Sequence, residues 1–182
     1  MDLKELREFF TDIDELKHTE RQGWKDIGVT GTKDTIASHS LGATILGWSL
    51  AEEEGTDSDR VVKMLLMHDL IMSYVRDYTP EDEEFTDKKQ MEDEQFEKLK
   101  QDMPGNIREE TAELFHEFRE NRTREAQVAH EADKLDTLLQ ALRYSEELGE
   151  NHVEEFLETY TETFETSTGR KIMKQLKEVE SS

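Results

Sequence analysis

The residues best suited to chemistry in this chain are an adjacent pair, His68 and Asp69, which follow the apolar run Val61-Val62-Lys63-Met64-Leu65-Leu66-Met67. An imidazole and a carboxylate at the end of a buried helix are costly to desolvate unless they are paired or bind a metal. Two further residues complete a set: His39, in Ile36-Ala37-Ser38-His39-Ser40-Leu41, and Asp133, in His130-Glu131-Ala132-Asp133-Lys134-Leu135. Two imidazoles with two carboxylates form a mixed nitrogen and oxygen donor set. Such a set suits one divalent Mn, Fe, Co, Ni or Zn ion better than Mg or Ca, which prefer all-oxygen shells. A His-Asp dipeptide alone is weak evidence. Four such residues in order, all on helical patterns, are much stronger, and they make His39, His68, Asp69 and Asp133 the candidate metal ligands.

Positioning these four falls to helices. Leu3, Leu6, Phe9, Phe10, Ile13 and Leu16 follow three- and four-residue spacing and predict an amphipathic first helix. It ends before Arg21-Gln22-Gly23-Trp24, where Gly23 breaks the pattern and a loop through Gly28 and Gly31 follows. A second helix is expected to start at Asp34 or Thr35, carry His39, Leu41, Ile45, Leu46, Trp48 and Leu50, and stop at Glu52 to Gly55. Asp57 or Ser58 caps a third, which leads into His68-Asp69. Pro80 opens an acidic loop to about Asp87. A helix marked by Met91, Phe96 and Leu99 closes at Pro104-Gly105, and Ile107 to Asn121 forms another. Arg124 to Leu148 is the longest continuous pattern, and two shorter helices lie around Val153–Phe164 and Ile172–Val179. No alternating strand run, internal repeat or linker interrupts this order. The expectation is an all-α, single-domain bundle over 1–182, with a core at about 6–148 and C-terminal helices over 150–180 packed on it.

Composition narrows the function. The chain has 182 residues, enough for one domain with a sizeable core, and its 34% hydrophobic residues are regularly spaced rather than scattered. The net charge of -22 argues against a nucleic-acid polymer as partner, since that needs clustered Lys and Arg to replace counterions. It equally disfavours an anionic membrane surface. The acidity fits a salt-adapted proteome or an ordinary acidic cytosolic protein, and composition does not separate the two. There are no cysteines, which removes disulfides, thiolate metal sites and cysteine nucleophiles together and fits a reducing cytoplasm. No apolar signal region opens the chain, and no stretch approaches the roughly 18 to 20 apolar residues of a membrane span.

The order His, His-Asp, distant Asp resembles the HD-domain superfamily of metal-dependent phosphohydrolases, and the flanks are similar to its 5′-deoxynucleotidase family. Arg21-Gln22-Gly23-Trp24 looks like that family's Arg-x-Gly-Trp segment. Thr35-Ile36-Ala37-Ser38-His39-Ser40 matches its first ligand helix, with Ser38 where Glu is usual. Asp77 and Thr79-Pro80 resemble its Gly-Asp-x-x-Pro loop, with Arg76 at the Gly position. Asp133-Lys134-Leu135, with Leu139-Gln140-Ala141 and Tyr144, resembles its closing helix. The resemblance runs from about Leu6 to Leu148. It implies a phosphomonoesterase acting on deoxyribonucleoside 5′-monophosphates. Arg21 would contact the phosphate, Trp24 would pack near the sugar, Asp77 would stand by the sugar or the attacking water, and Lys88 or Lys89 would reach a phosphate. The resemblance also implies a homodimer.

One departure bears on activity. Three residues after Asp69 the nucleotidases carry a Glu thought to help activate water, and this chain has Met72. A thioether cannot accept that proton. Asp77, Glu81 or Asp82 compensates, or the metal suffices, or the protein is a non-hydrolytic metal- and nucleotide-binding member of the fold. Two formal Glu-x-x-His pairs, Glu15/His18 and Glu113/His116, lack the additional inward Glu residues of a di-iron bundle and read as surface helix residues. His130 is either a solvated histidine or a hydrogen-bond partner of a ligand.

Overall fold

The computed structural model describes residues 2–31, 34–73, 88–145 and 150–180, without side chains for Met72, Ser73, 88–91, 150–152 and 179–180. The described residues form helices α1 (Leu3–His18), α2 (Gln22–Asp26), α3 (Ile36–Glu54), α4 (Ser58–Met67), a 3-10 turn (Leu70–Ser73), α5 (Lys88–Asp102), α6 (Gly105–Glu120), α7 (Arg124–Arg143), α8 (Glu150–Thr161) and α9 (Ser167–Glu180). The only β pairing among them is one isolated bridge, Glu20 to Thr35. The class is all-α, as the spacing predicts.

The caps explain the boundaries. Asp2 accepts from the amides of Lys4 and Glu5 at 2.8 and 2.9 Å and starts α1, with Glu5 reaching back to the Asp2 amide. Thr35 and Ser38 cap α3 in the same reciprocal way, and Asp57 accepts from Arg60 N at 3.1 Å to start α4. Each satisfies an amide that the first helical turn leaves without a partner. One stretch departs from expectation. Gln22–Asp26 is a helical turn rather than loop, held by a 2.7 Å bond from Gln22 to Asp26 and by burial of Trp24. Gly23 does not prevent it, because the loss of backbone entropy there is small beside burial of an indole.

α7 is the central helix, buried around much of its circumference, and α3 and α4 pack on it through Ala43, Leu50, Ala51, Val61, Met64, Leu65, Val128, Ala129, Ala132, Leu135 and Leu138. Gly47 permits the approach, since a Cβ there would lie 2.2 Å from Leu65 Cδ1. A second cluster joins α1, the 3-10 turn, α5 and α6 through Phe9, Leu16, Leu70, Ile71, Phe96, Leu99 and Phe115.

Two acidic side chains tie α9 to this framework. Glu131 of α7 is 1% exposed and accepts from the amides of Glu165 and Thr166 at 2.6 and 2.5 Å and from the Thr166 hydroxyl at 2.5 Å. Glu54, at the end of α3, accepts from Ser167 Oγ at 2.8 Å and Thr168 N at 2.6 Å and pairs with Arg124. Both carboxylates stand at the N-terminus of α9, where the helix dipole favours negative charge. Burial opposes ionisation of Glu54, but the bonds from Thr168, Ser167 and Arg124 outweigh it and lower its pKa to about 2. A carboxyl depressed in the folded state adds stability above its ordinary pKa of 4.5, and that stability is lost as pH falls from there toward about 2. Glu54→Gln is therefore expected to lower the melting temperature at pH 7 and to flatten its fall between pH 5 and pH 3. Parallel melting curves for the two proteins across that range would show that Glu54 is not the group responsible.

Candidate metal centre

The four predicted ligands converge. His39 comes from the second turn of α3, and Asp133 from the middle of α7. His68 caps the end of α4, and Asp69 follows where the backbone leaves that helix for the 3-10 turn. His39 Nε2 lies 3.0 Å from Asp133 Oδ1 and 3.7 Å from Asp69 Oδ2. His68 Nε2 lies 3.2 Å from Asp69 Oδ2 and 3.9 Å from Asp133 Oδ1. Metal bonds of about 2.0–2.2 Å would set neighbouring ligand atoms about 3 to 3.5 Å apart, which is close to this arrangement. The imidazoles are 1% and 8% exposed.

Hydrogen bonding fixes which nitrogens face inward. His68 Nδ1 donates to the Leu65 carbonyl at 2.7 Å, so in the neutral ring Nε2 carries the lone pair. That Nε2 is buried and has no hydrogen-bond partner among the described residues. An orphaned nitrogen, a second imidazole and two carboxylate oxygens around one point are a donor set that a divalent transition metal satisfies.

The same convergence perturbs every group. Burial opposes charge on His68, but the Asp69 carboxylate and, behind it, Asp133 raise its pKa to about 9. Burial likewise opposes charge on His39, and Asp133 and Asp136 overcome it and raise its pKa. Asp133 resists burial through its bond to His39 and the charge of Lys134, and its pKa falls far below the usual carboxylate range. For Asp69, too, burial is the largest influence, and His68 more than offsets it and lowers the pKa. Opposite charges at such separations favour both ionised forms.

Arg21 is beside the centre. Its Nη1 is 3.2 Å from His39 Nδ1 and donates to Thr137 Oγ1 at 3.2 Å. Trp24 is 2% exposed, packed edge-on to Tyr144 at 5.3 Å and against Phe156 at 5.6 Å, with the Arg21 guanidinium 5.8 Å from its ring. The indole thus backs Arg21 rather than lining an open surface. Lys134, which the sequence reading passed over, donates to Asp133 Oδ2 at 2.9 Å and lies 5.5 Å from the Tyr160 ring. His130 is half-buried: it bonds the Phe118 carbonyl at 2.7 Å and stacks on the Phe118 ring, which packs on His68. Asp77, Glu81, Asp82 and Pro80 lie outside the described residues, as do the side chains of Met72, Lys88 and Lys89. Asp136, on Nδ1 of His39 at 2.6 Å, is a further member that sequence reasoning missed. Its spacing of three puts it on the same face of α7 as Asp133, but that spacing alone does not separate it from a solvated carboxylate.

A helical fold built around this His and Asp set defines a class, and comparison with known proteins agrees. Residues 13–180 match the HD domain family model, and the chain belongs to the HD domain family. It is 30% identical over 148 residues to the 5′-deoxynucleotidase HDDC2 of Dictyostelium discoideum, covering 77% of each chain. It is also 30% identical over 154 residues to the 5′-deoxynucleotidase hdd1 of Schizosaccharomyces pombe, covering 81% of this chain and 77% of that one. Among solved structures, a Pyrococcus horikoshii protein superposes with a TM-score of 0.74 at 30% identity, over 96% of this chain and 98% of its own. A predicted metal-dependent phosphohydrolase from Magnetospirillum magnetotacticum shares the fold, with a TM-score of 0.76 at 22% identity over 98% and 95% of the two chains.

Proposed function

We propose that this protein is a metal-dependent phosphomonoesterase acting on deoxyribonucleoside 5′-monophosphates. The observation that carries the reading is the pair of buried imidazoles, each with Nδ1 tied to an acceptor and Nε2 turned toward Asp69 and Asp133, with a guanidinium alongside. The substrate class comes from the two 5′-deoxynucleotidases it resembles.

His39, His68, Asp69 and Asp133 would hold one divalent ion, chosen from Mn, Co, Fe, Ni or Zn by its mixed donors. When bound, such an ion polarises a phosphoryl oxygen and acidifies water, so no protein nucleophile is required. Arg21 grips the phosphate with its planar fork, and Trp24 keeps the guanidinium in place from behind. Lys134 neutralises Asp133 from the far oxygen and adds positive charge at the centre. By the resemblance, Asp77 would assist the attacking water or the sugar, and Lys88 would serve the phosphate. Water attacks phosphorus, the 5′-oxygen leaves with a proton, and the products are a deoxyribonucleoside and inorganic phosphate. We take the activity to be cytoplasmic, in keeping with a chain free of cysteine. No described helix is long and apolar enough to cross a membrane.

The test is phosphate release from deoxy- and ribonucleoside monophosphates with Mn, Co, Ni and Mg supplied separately. Turnover of the deoxy series with a transition metal supports the reading. Tight binding of metal and nucleotide without release of phosphate would replace it with the non-hydrolytic reading, which Met72 favours.

We also propose a homodimer. From Ile36 to Ala51 there is no Asp, Glu, Lys or Arg, in a chain that is 37% charged. Within that stretch Leu41, Ile45 and Trp48 form one stripe on α3 and are 59%, 57% and 57% exposed. Two copies at -22 repel each other, and an uncharged apolar stripe is where that repulsion is least and the gain from burial greatest. Trp48→Asp is expected to turn a dimer into a monomer in light scattering; a wild-type monomer, or a dimer that survives the substitution, would remove this surface from consideration.

A further inference from the structure

Beyond the four ligands, the geometry points to a device that sets the tautomer of His39: Asp136, seated in room that Gly42 leaves open, fixes the ring so that Nε2 faces the metal. This rests on His39 being a metal ligand.

α7 grips both nitrogens of one imidazole. Asp133 Oδ1 meets Nε2 at 3.0 Å, and Asp136 Oδ2, three residues on, meets Nδ1 at 2.6 Å. The neutral ring carries a single N–H. Placed on Nδ1, it donates to the Asp136 carboxylate and leaves the Nε2 lone pair for a cation. Placed on Nε2, it faces Asp133 and closes the metal position.

Arg21 supports the wrong alternative. Its Nη1 lies 3.2 Å from Nδ1 and donates well there only when Nδ1 is unprotonated. The two candidate partners thus compete for one nitrogen in opposite senses. Asp136 is nearer by 0.6 Å, from 3.2 and 2.6 Å, and a charged acceptor makes the stronger bond. Arg21 is left with Thr137 Oγ1, also at 3.2 Å. Without Asp136 the guanidinium would take Nδ1 and push the proton to Nε2.

Gly42 makes the arrangement possible. It follows His39 by three residues on α3, and a Cβ built there would stand 2.1 Å from Asp136 Oδ1 and 3.1 Å from its Cγ. Its φ is ordinary for a helix, so its role is room rather than conformation. A methyl group would displace the carboxylate from the position in which it holds His39. Asp136 is therefore a positioning residue, and Gly42 positions Asp136.

The experiment measures zinc affinity by chelator competition in the full-length protein, together with the His39 tautomer by long-range proton–nitrogen correlation in ¹⁵N-histidine-labelled protein. Loss of a group that orients a metal-binding histidine typically costs about 10- to 100-fold in metal affinity. We expect Asp136→Asn and Gly42→Ala each to weaken zinc binding by about that factor, with the circular dichroism spectrum unchanged and the Nδ1–H signature of His39 reduced. Gly42→Ala added to Asp136→Ala should cost nothing further, because the methyl then meets no carboxylate; an additive loss would mean that Gly42 acts through packing alone. If the wild type binds zinc and Asp136→Asn binds it equally well with the same tautomer, the inference falls and the metal centre stands. If the wild type binds no zinc, manganese or cobalt, the metal reading itself has failed and this inference fails with it.

Discussion

Replacing His68 by alanine should strip the protein of its metal and reduce phosphate release by about 10³-fold or more. A Lewis acid in such a site supplies several kcal/mol to the transition state, and each 1.36 kcal/mol is about tenfold in rate. His68 contributes a buried Nε2 that has no hydrogen-bond partner among the described residues, so its loss removes a donor free to face a cation. Alanine also leaves Asp69 and Asp133 facing each other without the imidazole that lowers both their pKa values. Elemental analysis of the purified variant, beside the wild type, reads the metal directly, and the phosphate assay reads the consequence. A variant with full metal content would mean that His68 is not a ligand, however low its activity.

The opposite change is expected at Met72. It lies in the 3-10 turn, three residues past Asp69, at the position where the resembling nucleotidases carry a Glu. Met72→Glu should raise turnover on a deoxyribonucleoside monophosphate by about 10²-fold, the lower end of what a well-placed general base contributes. A bound cation nearby favours the ionised carboxylate, so burial need not neutralise it. Metal content should stay the same, since Met72 is not a proposed ligand. A fast wild type and a variant no faster would transfer the role to another acid, Asp77 foremost.

That His39, His68, Asp69 and Asp133 belong together was legible because His-Asp adjacency, the preceding apolar run and two further residues on helical patterns are local signals that add together, and the four side chains do converge. Helix starts at Thr35 and Asp57 were legible for a similar reason: a capping side chain bonds amides two or three residues away, within the reach of sequence inspection. What stayed hidden depends on partners far along the chain. Asp136 meets His39 across 97 residues, and nothing in Asp133-Lys134-Leu135-Asp136 distinguishes an orienting carboxylate from a solvated one. Trp24 was placed near the sugar by the Arg-x-Gly-Trp resemblance alone, and its packing against Tyr144 and Phe156, more than a hundred residues on, could not be read from its local sequence. Leu41, Ile45 and Trp48 belong to the apolar pattern of the second helix, yet they are exposed. Apolar periodicity tells that a face is covered by something, and it does not tell whether the cover is the same chain.

The tie between Glu131 and the start of α9 changes where this domain can be cut. The recognisable motifs end at about Leu148, although the family match runs on to residue 180, and a minimal fragment drawn at Leu148 would keep α7 whole and discard the three donors that Glu131 holds. The fragment would carry a buried acceptor with nothing to accept, two positions from the proposed ligand Asp133 on the same helix. Its options are to take up a proton, to draw water into the bundle, or to twist α7 until the carboxylate escapes, and each of these disturbs Asp133 and Asp136 together. The C-terminal segment is thus part of what keeps α7 dry, and any truncated or circularly permuted form should retain Glu165 to Gly169 or replace Glu131 with an apolar residue of similar volume.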